Sequence, residues 1–443
     1  MYLCFGIVQI LKGSFRREKM LTAVVGINWG DEGKGRMVDL LSEKNEIVVR
    51  YQGGNNAGHT VINERGKFIL NLLPSGILRS GVVNVMGNGM VIDICHLVGE
   101  IGRLRDAGIE ISPENLKISD RAVICMPYHV RMDCLEEERL ADKKYGSTRR
   151  GISPVYGDKY MKKALRMGDL FESDDVLRER VSDLLEYKNL VIEGVYKAEP
   201  NTVKEIMEWL RTYGDQLKAH ICDVGEYLEK AADEGKNIMF EAQLGALRDI
   251  DFGIYPYTSS SNVISAYAPI GAGIPGKKID FSLGIMKAYS TCVGEGPFTC
   301  EMFGEEAEEL RAAGNEYGAA TGRPRRVGPF DVVASRYGTM VQGADALALT
   351  KLDTISYMKK IPVCVAYDVD GERVDRFPVG DRLNRAKPII EYLEGWNCDI
   401  SGCRKMSELP KAAVDYIEYI EKAVGCNIKY ISVGAEREAY IEK

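Results

Sequence analysis

Short, almost wholly apolar runs punctuate the chain, each giving way to a longer stretch in which apolar residues return every three or four positions. The first is Thr22–Ile27 (T-A-V-V-G-I), rich in β-branched residues and without a polar face. That is the pattern of a parallel strand covered on both sides. Runs of the same kind recur at Ile47–Tyr51, Val82–Met86, Asn237–Glu241, Phe281–Ala288, Ala344–Thr350, Ile361–Tyr367 and Ile428–Val433. Helical periodicity fills the intervals, at Arg36–Glu43, Ile94–Ala107, Ser173–Tyr187, Val203–Gly235, Glu305–Ala313, Val332–Gln342 and Lys411–Val424. Strands alternating with helices predict an α/β fold with a large, mostly parallel central sheet wrapped by helices. The charged, helix-periodic stretch from about 170 to 235 predicts a helical subdomain inserted between sheet strands. No flexible linker composition divides residues 21–443, which are expected to form a single domain.

The first twenty residues stand apart. Met1–Leu11 is mostly apolar but shorter than the ~20 residues that span a bilayer, and no small-residue cleavage site follows it. Arg16, Arg17, Glu18 and Lys19 come next, and Met20 directly precedes the first strand. Residues 1–20 therefore read as an N-terminal extension or a start codon assigned too early, with no membrane role. The remaining composition is that of an ordinary large soluble chain: 443 residues, 45% hydrophobic, 28% charged, with a formal net charge of −7. An acidic balance argues against broad binding to nucleic acid or an anionic membrane, so anionic ligands must be held by local basic clusters. Eleven cysteines include no C-x-x-C pair, and His59, His96, His129 and His220 complete no zinc pattern. Reduced cysteines packed as small hydrophobes, and a cytoplasmic location, are expected.

Four segments carry candidate chemistry. Gly26–Gly35 reads G-I-N-W-G-D-E-G-K-G, a glycine-rich turn between a strand and a helix. Such a turn presents backbone N–H groups at a helix N-terminus and cradles phosphate, and Lys34 adds a mobile charge. It is P-loop-like without being a Walker A loop: that pattern needs glycine where Asn28 stands and a hydroxyl residue where Gly35 stands. With no hydroxyl for a metal, Asp31 is the available carboxylate. Tyr51–Thr60, Y-Q-G-G-N-N-A-G-H-T, is a second glycine-rich loop after a strand, with His59 as a candidate acid or charge stabiliser. Thr350–Asp353, T-K-L-D, ends an apolar run and resembles the N-K-x-D guanine reader of GTPases with threonine in place of asparagine. A carboxylate there accepts both N1–H and N2–H₂ of guanine, whereas adenine leaves it unpaired. Thr321–Arg326, T-G-R-P-R-R, is the densest basic cluster, suited to gripping carboxylate or phosphate.

Together these segments resemble the adenylosuccinate synthetase family from about Leu21 to Ala439. The motifs in order are W-G-D-E-G-K-G at 29–35, N-A-G-H-T at 56–60, L-P-S-G-I-L at 73–78, Y-P-Y at 255–257, K-A-Y-S-T at 287–291, V-G-x-G-P-F at 293–298, T-G-R-x-R-R at 321–326 and T-K-L-D at 350–353. The resemblance implies GTP-dependent ligation of L-aspartate to IMP through a 6-phosphoryl intermediate, with Asp31 as base and His59 beside it. It implies a GTP site of Gly30, Glu32, Gly33, Lys34, Gly35, Thr60, Arg325, Lys351, Leu352, Asp353, Ser432, Val433 and Gly434. The IMP site implied is Asp31, Lys34, Asn56, Ala57, Gly58, His59, Thr148, Lys162, Ser259 and Arg323. Thr321, Gly322 and Arg323 would bind aspartate, and Asp31 with the Gly58 carbonyl would hold Mg²⁺. A homodimer is implied, in which Lys162 reaches the partner's site.

The chain departs from the family pattern at several substrate contacts. Lys162 stands for an arginine, and Phe240–Gly245 reads F-E-A-Q-L-G for F-E-G-A-Q-G, which puts Leu244 at the purine-binding glutamine position and Gln243 one place early. Ala320 replaces the first of two threonines, Asn55 a histidine, and Ser153 the second glycine of G-I-G-P. Two alternatives follow: the same chemistry on another 6-oxopurine nucleotide or amino donor, and a guanine-nucleotide-binding regulator.

Overall fold

A computed structural model of the chain describes residues 20–63, 66–317 and 324–443. The apolar runs assemble into one ten-stranded sheet. Its strands are β1 (Leu21–Gly26), β2 (Ile47–Arg50), β3 (Val83–Met86), β4 (Leu116–Ser119), β5 (Ile221–Cys222), β6 (Ile238–Gly245), β7 (Phe281–Lys287), β8 (Ala346–Thr350), β9 (Ile428–Ser432) and β10 (Tyr440–Glu442). They lie in the order β10-β9-β8-β7-β1-β6-β2-β3-β4-β5. Every neighbouring pair is parallel except β9 with β10. The expected mostly parallel sheet wrapped by helices is therefore present.

The central strands are apolar throughout because both faces are covered. Val24, Val48, Met239, Leu283 and Ile285 pack on one side with Met37 and Val38 of the helix Lys34–Leu41. Ala23, Val25, Val49 and Phe240 pack on the other, against Val224, Leu228 and Ala231 of the helix Val224–Asp233. Such strands lack the polar-out alternation of one-sided sheets. A separate large core lies under the helices Ile94–Asp106, Asp174–Gly194 and Val203–Gly214.

Several expected elements differ. Val203–Gly235 is two helices, Val203–Gly214 and Val224–Asp233, separated by β5, which joins the main sheet at its edge. The excursion of about 170–235 is thus not wholly helical. Helices Pro127–Leu140 and Ile152–Met161 also precede it. The run at Ile361–Tyr367 lies within Lys360–Val369, which belongs to a different sheet, paired antiparallel with Lys387–Glu394 and Glu372–Val374. Of the extension 1–20, residues 1–19 fall outside the described residues. Among the described residues, no helix is long and apolar enough to cross a membrane.

Candidate functional site

The C-terminal ends of β1, β2, β6, β8 and β9 meet along one edge of the sheet, where open α/β sheets bind their ligands. The glycine turn leaves β1 with Gly30, Asp31 and Gly33 all at positive φ (105°, 57° and 96°). Gly33 is the N-cap of the helix Lys34–Leu41, a left-handed position that glycine occupies without steric cost. Within the turn, buried Glu32 accepts from the Asn28 and Gly30 N–H groups at 3.1 and 2.8 Å, and from Lys34 Nζ at 2.6 Å. The chain's own carboxylate thus engages Lys34 and two backbone N–H groups of the turn. Asp31 faces Arg325, whose Nε lies 3.0 Å from Oδ2.

The second loop packs against the first. A Cβ built on Gly35 would stand only 3.1 Å from the His59 Cβ, so glycine is what lets the two loops close together. His59 Nδ1 lies 2.6 Å from Glu241 Oε1. Glu241 is buried on β6 and also accepts from Ser75 N at 2.8 Å and Ser75 Oγ at 2.6 Å. Burial lowers the His59 pKa below its ordinary value, and Glu241 partly offsets this. Burial also acts to raise Glu241, but His59, Arg50 and Ser75 together hold its carboxyl below the ordinary range. Glu241 is a site residue that motif reading missed. Its signal was available: a lone carboxylate directly after the apolar I-M-F of a strand buried on both faces.

The T-K-L-D segment is joined to the glycine turn directly, since Thr350 Oγ1 donates to the Glu32 carbonyl at 2.7 Å. Leu352 N donates to Ser432 O at 3.1 Å, which brings Lys351, Leu352 and Asp353 beside Ser432, Val433 and Gly434. Arg36, absent from the motif reading, clamps that second segment: it donates to Ser432 Oγ at 2.5 Å, to the Gly434 and Glu436 carbonyls, and to Ala439 O at 3.1 Å. Asp353 Oδ1 is buried without a hydrogen-bond partner. Burial raises the Asp353 carboxyl above its ordinary value, with Lys351 and Arg36 pulling the other way. A buried carboxylate oxygen left unsatisfied costs free energy that a ligand's donors recover.

The altered purine segment has a clear geometry. The β1–β6 register shifts between Val24 and Gly26, and Leu244 takes φ 66°, a left-handed value unusual for a leucine. Its side chain thereby comes beside Gly30, while Gln243 points the other way and donates Nε2 to the Gly54 carbonyl at 3.0 Å. Gln243 therefore buttresses the second loop instead of filling the position of Leu244. Gln52 donates to Gln243 O at 2.8 Å and accepts from Ser261 Oγ at 3.0 Å, and Ser261 is 3.1 Å from Ser259 Oγ. Ser153 is tied to the same serine run, through Ser260 Oγ at 3.0 Å.

The other expected site residues are less tightly gathered. Asn56 Oδ1 accepts from Gly54 N at 3.3 Å, and Ala57 O accepts from Asn71 Nδ2 at 3.1 Å. Gly58 and Thr60 are half-buried. Thr148 is exposed, on a loop held by the bonds of Ser147 and Gly151 to Asp133. Lys162 is exposed at the C-cap of the helix Ile152–Met161. Thr321, Gly322 and Arg323, with Ala320, lie outside the described residues. Among the described residues no group of three or more His, Cys, Asp or Glu side chains is placed to hold a metal, and ten cysteines are free.

Comparison with known proteins gives a consistent result. A family model described as adenylosuccinate synthetase matches residues 23–441. Adenylosuccinate synthetase from Streptococcus gordonii is 43% identical over 416 residues, 94% of this chain and 96% of that protein. The one from Caldanaerobacter subterraneus is 44% identical over 422 residues, 95% and 98% of the two chains. The structure of fully ligated adenylosuccinate synthetase from Plasmodium falciparum superposes with a TM-score of 0.89 at 34% identity, covering 96% of this chain and 99% of that one. A cyanophage S-2L succinoaminodeoxyadenylate synthetase bound to dGMP and dATP matches with a TM-score of 0.61 at 18% identity over 96% of each chain, a likeness of fold alone.

Proposed function

Because the chain belongs to the adenylosuccinate synthetase family and catalyses GTP-dependent ligation of L-aspartate to IMP, we propose that Asp31 removes the N1 proton of IMP while O6 attacks the γ-phosphorus of GTP. The bond from that phosphorus to the β-phosphate oxygen breaks and GDP leaves; the amino group of aspartate then attacks C6, gives up a proton and breaks the C6–O6 bond, releasing O6 in inorganic phosphate. The observation that supports this reading is the meeting of four motifs on one sheet edge: Thr350 bonded to the glycine turn, Gly35 against His59, and Arg325 against Asp31.

The lactam N1–H is far less acidic than a carboxylic acid, whose ordinary pKa is about 4. Asp31 therefore cannot take the proton in an isolated step. Charge developing on O6 must be met as the proton leaves, and His59 serves as donor to that oxygen. Guanine is read by Asp353, whose unpartnered oxygen matches the paired N1–H and N2–H₂ donors, and the glycine turn takes the phosphates once Glu32 yields its N–H groups. Arg323 with Thr321 and Gly322 binds aspartate. Asn56, Thr148 and Ser259 contact IMP.

Magnesium takes oxygen ligands, keeps several waters, and shares its shell with substrate phosphates. One carboxylate and one carbonyl suit it, and Asp31 with the Gly58 carbonyl is the proposed pair; one Asp31 oxygen faces Arg325 and the side chain is 32% exposed. When bound, the ion would neutralise charge on the transferring phosphoryl group. We assign the enzyme to the cytoplasm as a homodimer with Lys162 reaching the partner's IMP phosphate. Exposed apolar Tyr160 and Met161 beside Lys162 support a covered face there.

Supplying IMP, GTP, Mg²⁺ and aspartate should give adenylosuccinate, with IMP and aspartate preferred in a panel of nucleotides and amino donors. Turnover of GTP without that product, or preference for another pair, would contradict the assignment. Glu241→Gln is a second test. Glu241 raises the His59 pKa against burial, so its removal lowers that pKa further. A protonated donor is lost as pH rises through its pKa. The basic limb of the kcat profile should therefore move to lower pH, with kcat at neutral pH down by about ten-fold or more. An unmoved limb would dissociate Glu241 from His59.

A further inference from the structure

The helix Gly304–Gly314 ends at Asn315, left-handed at φ 47°, and the next residue turns inward. That residue, Glu316, is fully buried. Its N–H donates to Arg311 O and its carbonyl accepts from Arg325 N, both at 2.9 Å. A buried carboxylate is costly unless it is paired and fully hydrogen-bonded. Oε1 accepts from Lys287 Nζ and Lys351 Nζ, each at 2.9 Å, and from the Tyr289 hydroxyl; Oε2 accepts from Arg325 Nη1 at 2.6 Å. Burial acts to raise this carboxyl, but the three cations hold it far below the ordinary carboxylate range.

A structural ion pair would be neutral, and this cluster is not. Two carboxylates, Glu316 and Asp31, face three cations, leaving one positive charge in excess. Lys287 is the buried member, bonded also to Thr291 Oγ1 at 2.8 Å, and burial pushes its pKa down to about 8. The other two belong to segments of the candidate site. Arg325 turns its Nε to within 3.0 Å of Asp31 Oδ2, without hydrogen-bond alignment. Lys351 is left-handed at φ 58°, two positions before Asp353, with its Nζ also bonded to Gly314 O at 2.5 Å. A single carboxylate therefore fixes the direction of one cation at the base and another at the guanine reader.

We propose that Glu316 is a positioning residue of the ligation, holding Arg325 against Asp31 and Lys351 beside Asp353 so that guanine recognition and the reacting end of the site are set in one register. This rests on the roles given above to Asp31, Lys351 and Asp353. Glu316→Gln keeps the shape and removes the charge. It should lower kcat/KM for GTP by about ten-fold to a hundred-fold, the scale of losing a charge-assisted hydrogen bond to buried partners. IMP affinity, measured by calorimetry, should change much less.

Because Glu316→Gln leaves Lys287 buried without its counter-charge, the double variant Glu316→Gln with Lys287→Gln separates folding from positioning. Its Tm should recover toward that of the parent while kcat/KM for GTP stays low. Glu316→Asp should restore much of the activity. The inference is overturned if Glu316→Gln retains parental kcat/KM for GTP, or if the double variant regains activity together with Tm. A parent chain that makes no adenylosuccinate would instead overturn the underlying reading of the site.

Discussion

Asp31→Asn is expected to lower adenylosuccinate formation by about a thousand-fold or more, near the upper end of what general acid–base catalysis supplies, while the folded state and GTP affinity stay close to those of the parent. Asparagine matches aspartate in volume, and its amide cannot take the N1 proton at neutral pH. The surrounding structure does not depend on the lost charge: Arg325 keeps its bond to Glu316 at 2.6 Å, and the Asn28 and Gly30 N–H groups of the glycine turn are held by Glu32. Because Asp31 is also the proposed Mg²⁺ ligand, turnover must be measured across a Mg²⁺ titration. If excess Mg²⁺ restores the rate, the residue's contribution is metal binding and the base lies elsewhere.

Asp353→Asn should raise KM for GTP by about a hundred-fold or more, since two charge-assisted hydrogen bonds to guanine are lost together. The reason lies in donor and acceptor order. A carboxylate accepts from N1–H and N2–H₂ at once, whereas asparagine turns one acceptor into a donor that meets the 2-amino group. Xanthosine triphosphate carries a carbonyl at that position and should become the better phosphoryl donor for the variant. Steady-state kinetics with both nucleotides provide the check. Parental GTP preference in the variant would mean that the unpartnered Asp353 oxygen does not face the base.

These two expectations draw on parts of the molecule that were unequally legible in the sequence. The strand ahead of the glycine turn was plain, because a strand buried on both faces has nothing polar to interrupt it, and β1 differs from the expected run by one residue at each end. The run at Ile361–Tyr367 was readable as a strand but not as a member of its sheet, since apolar pattern carries no information about pairing partners. The helix Pro127–Leu140 (P-Y-H-V-R-M-D-C-L-E-E-E-R-L) shows little apolar periodicity because its inward face carries His129, Asp133 and Glu137. The two-residue strand β5 is too short to register against the helices on either side.

In the site, glycine spacing marked the turn after β1, because the left-handed backbone at Gly30 and Gly33 favours that residue. Arg36 and Glu316 act through contacts with residues far away in the chain, and nothing local distinguishes them from solvated charges, whereas Glu241 stands out as a carboxylate in a strand buried on both faces. The segment at Gln243 and Leu244 shows the same limit. Which of the two faces the glycine turn depends on a left-handed leucine at φ 66°, a conformation sequence alone disfavours.

The central claim is that O6 of IMP becomes phosphorylated in this site before aspartate arrives at C6. Turning over IMP labelled with oxygen-18 at O6 and analysing the released phosphate by mass spectrometry tests it most directly. The label is expected to leave the purine and appear in inorganic phosphate, one labelled oxygen for each adenylosuccinate formed. Phosphate free of label alongside the same product would show that the phosphoryl group went to water or to another acceptor, and that O6 is not phosphorylated.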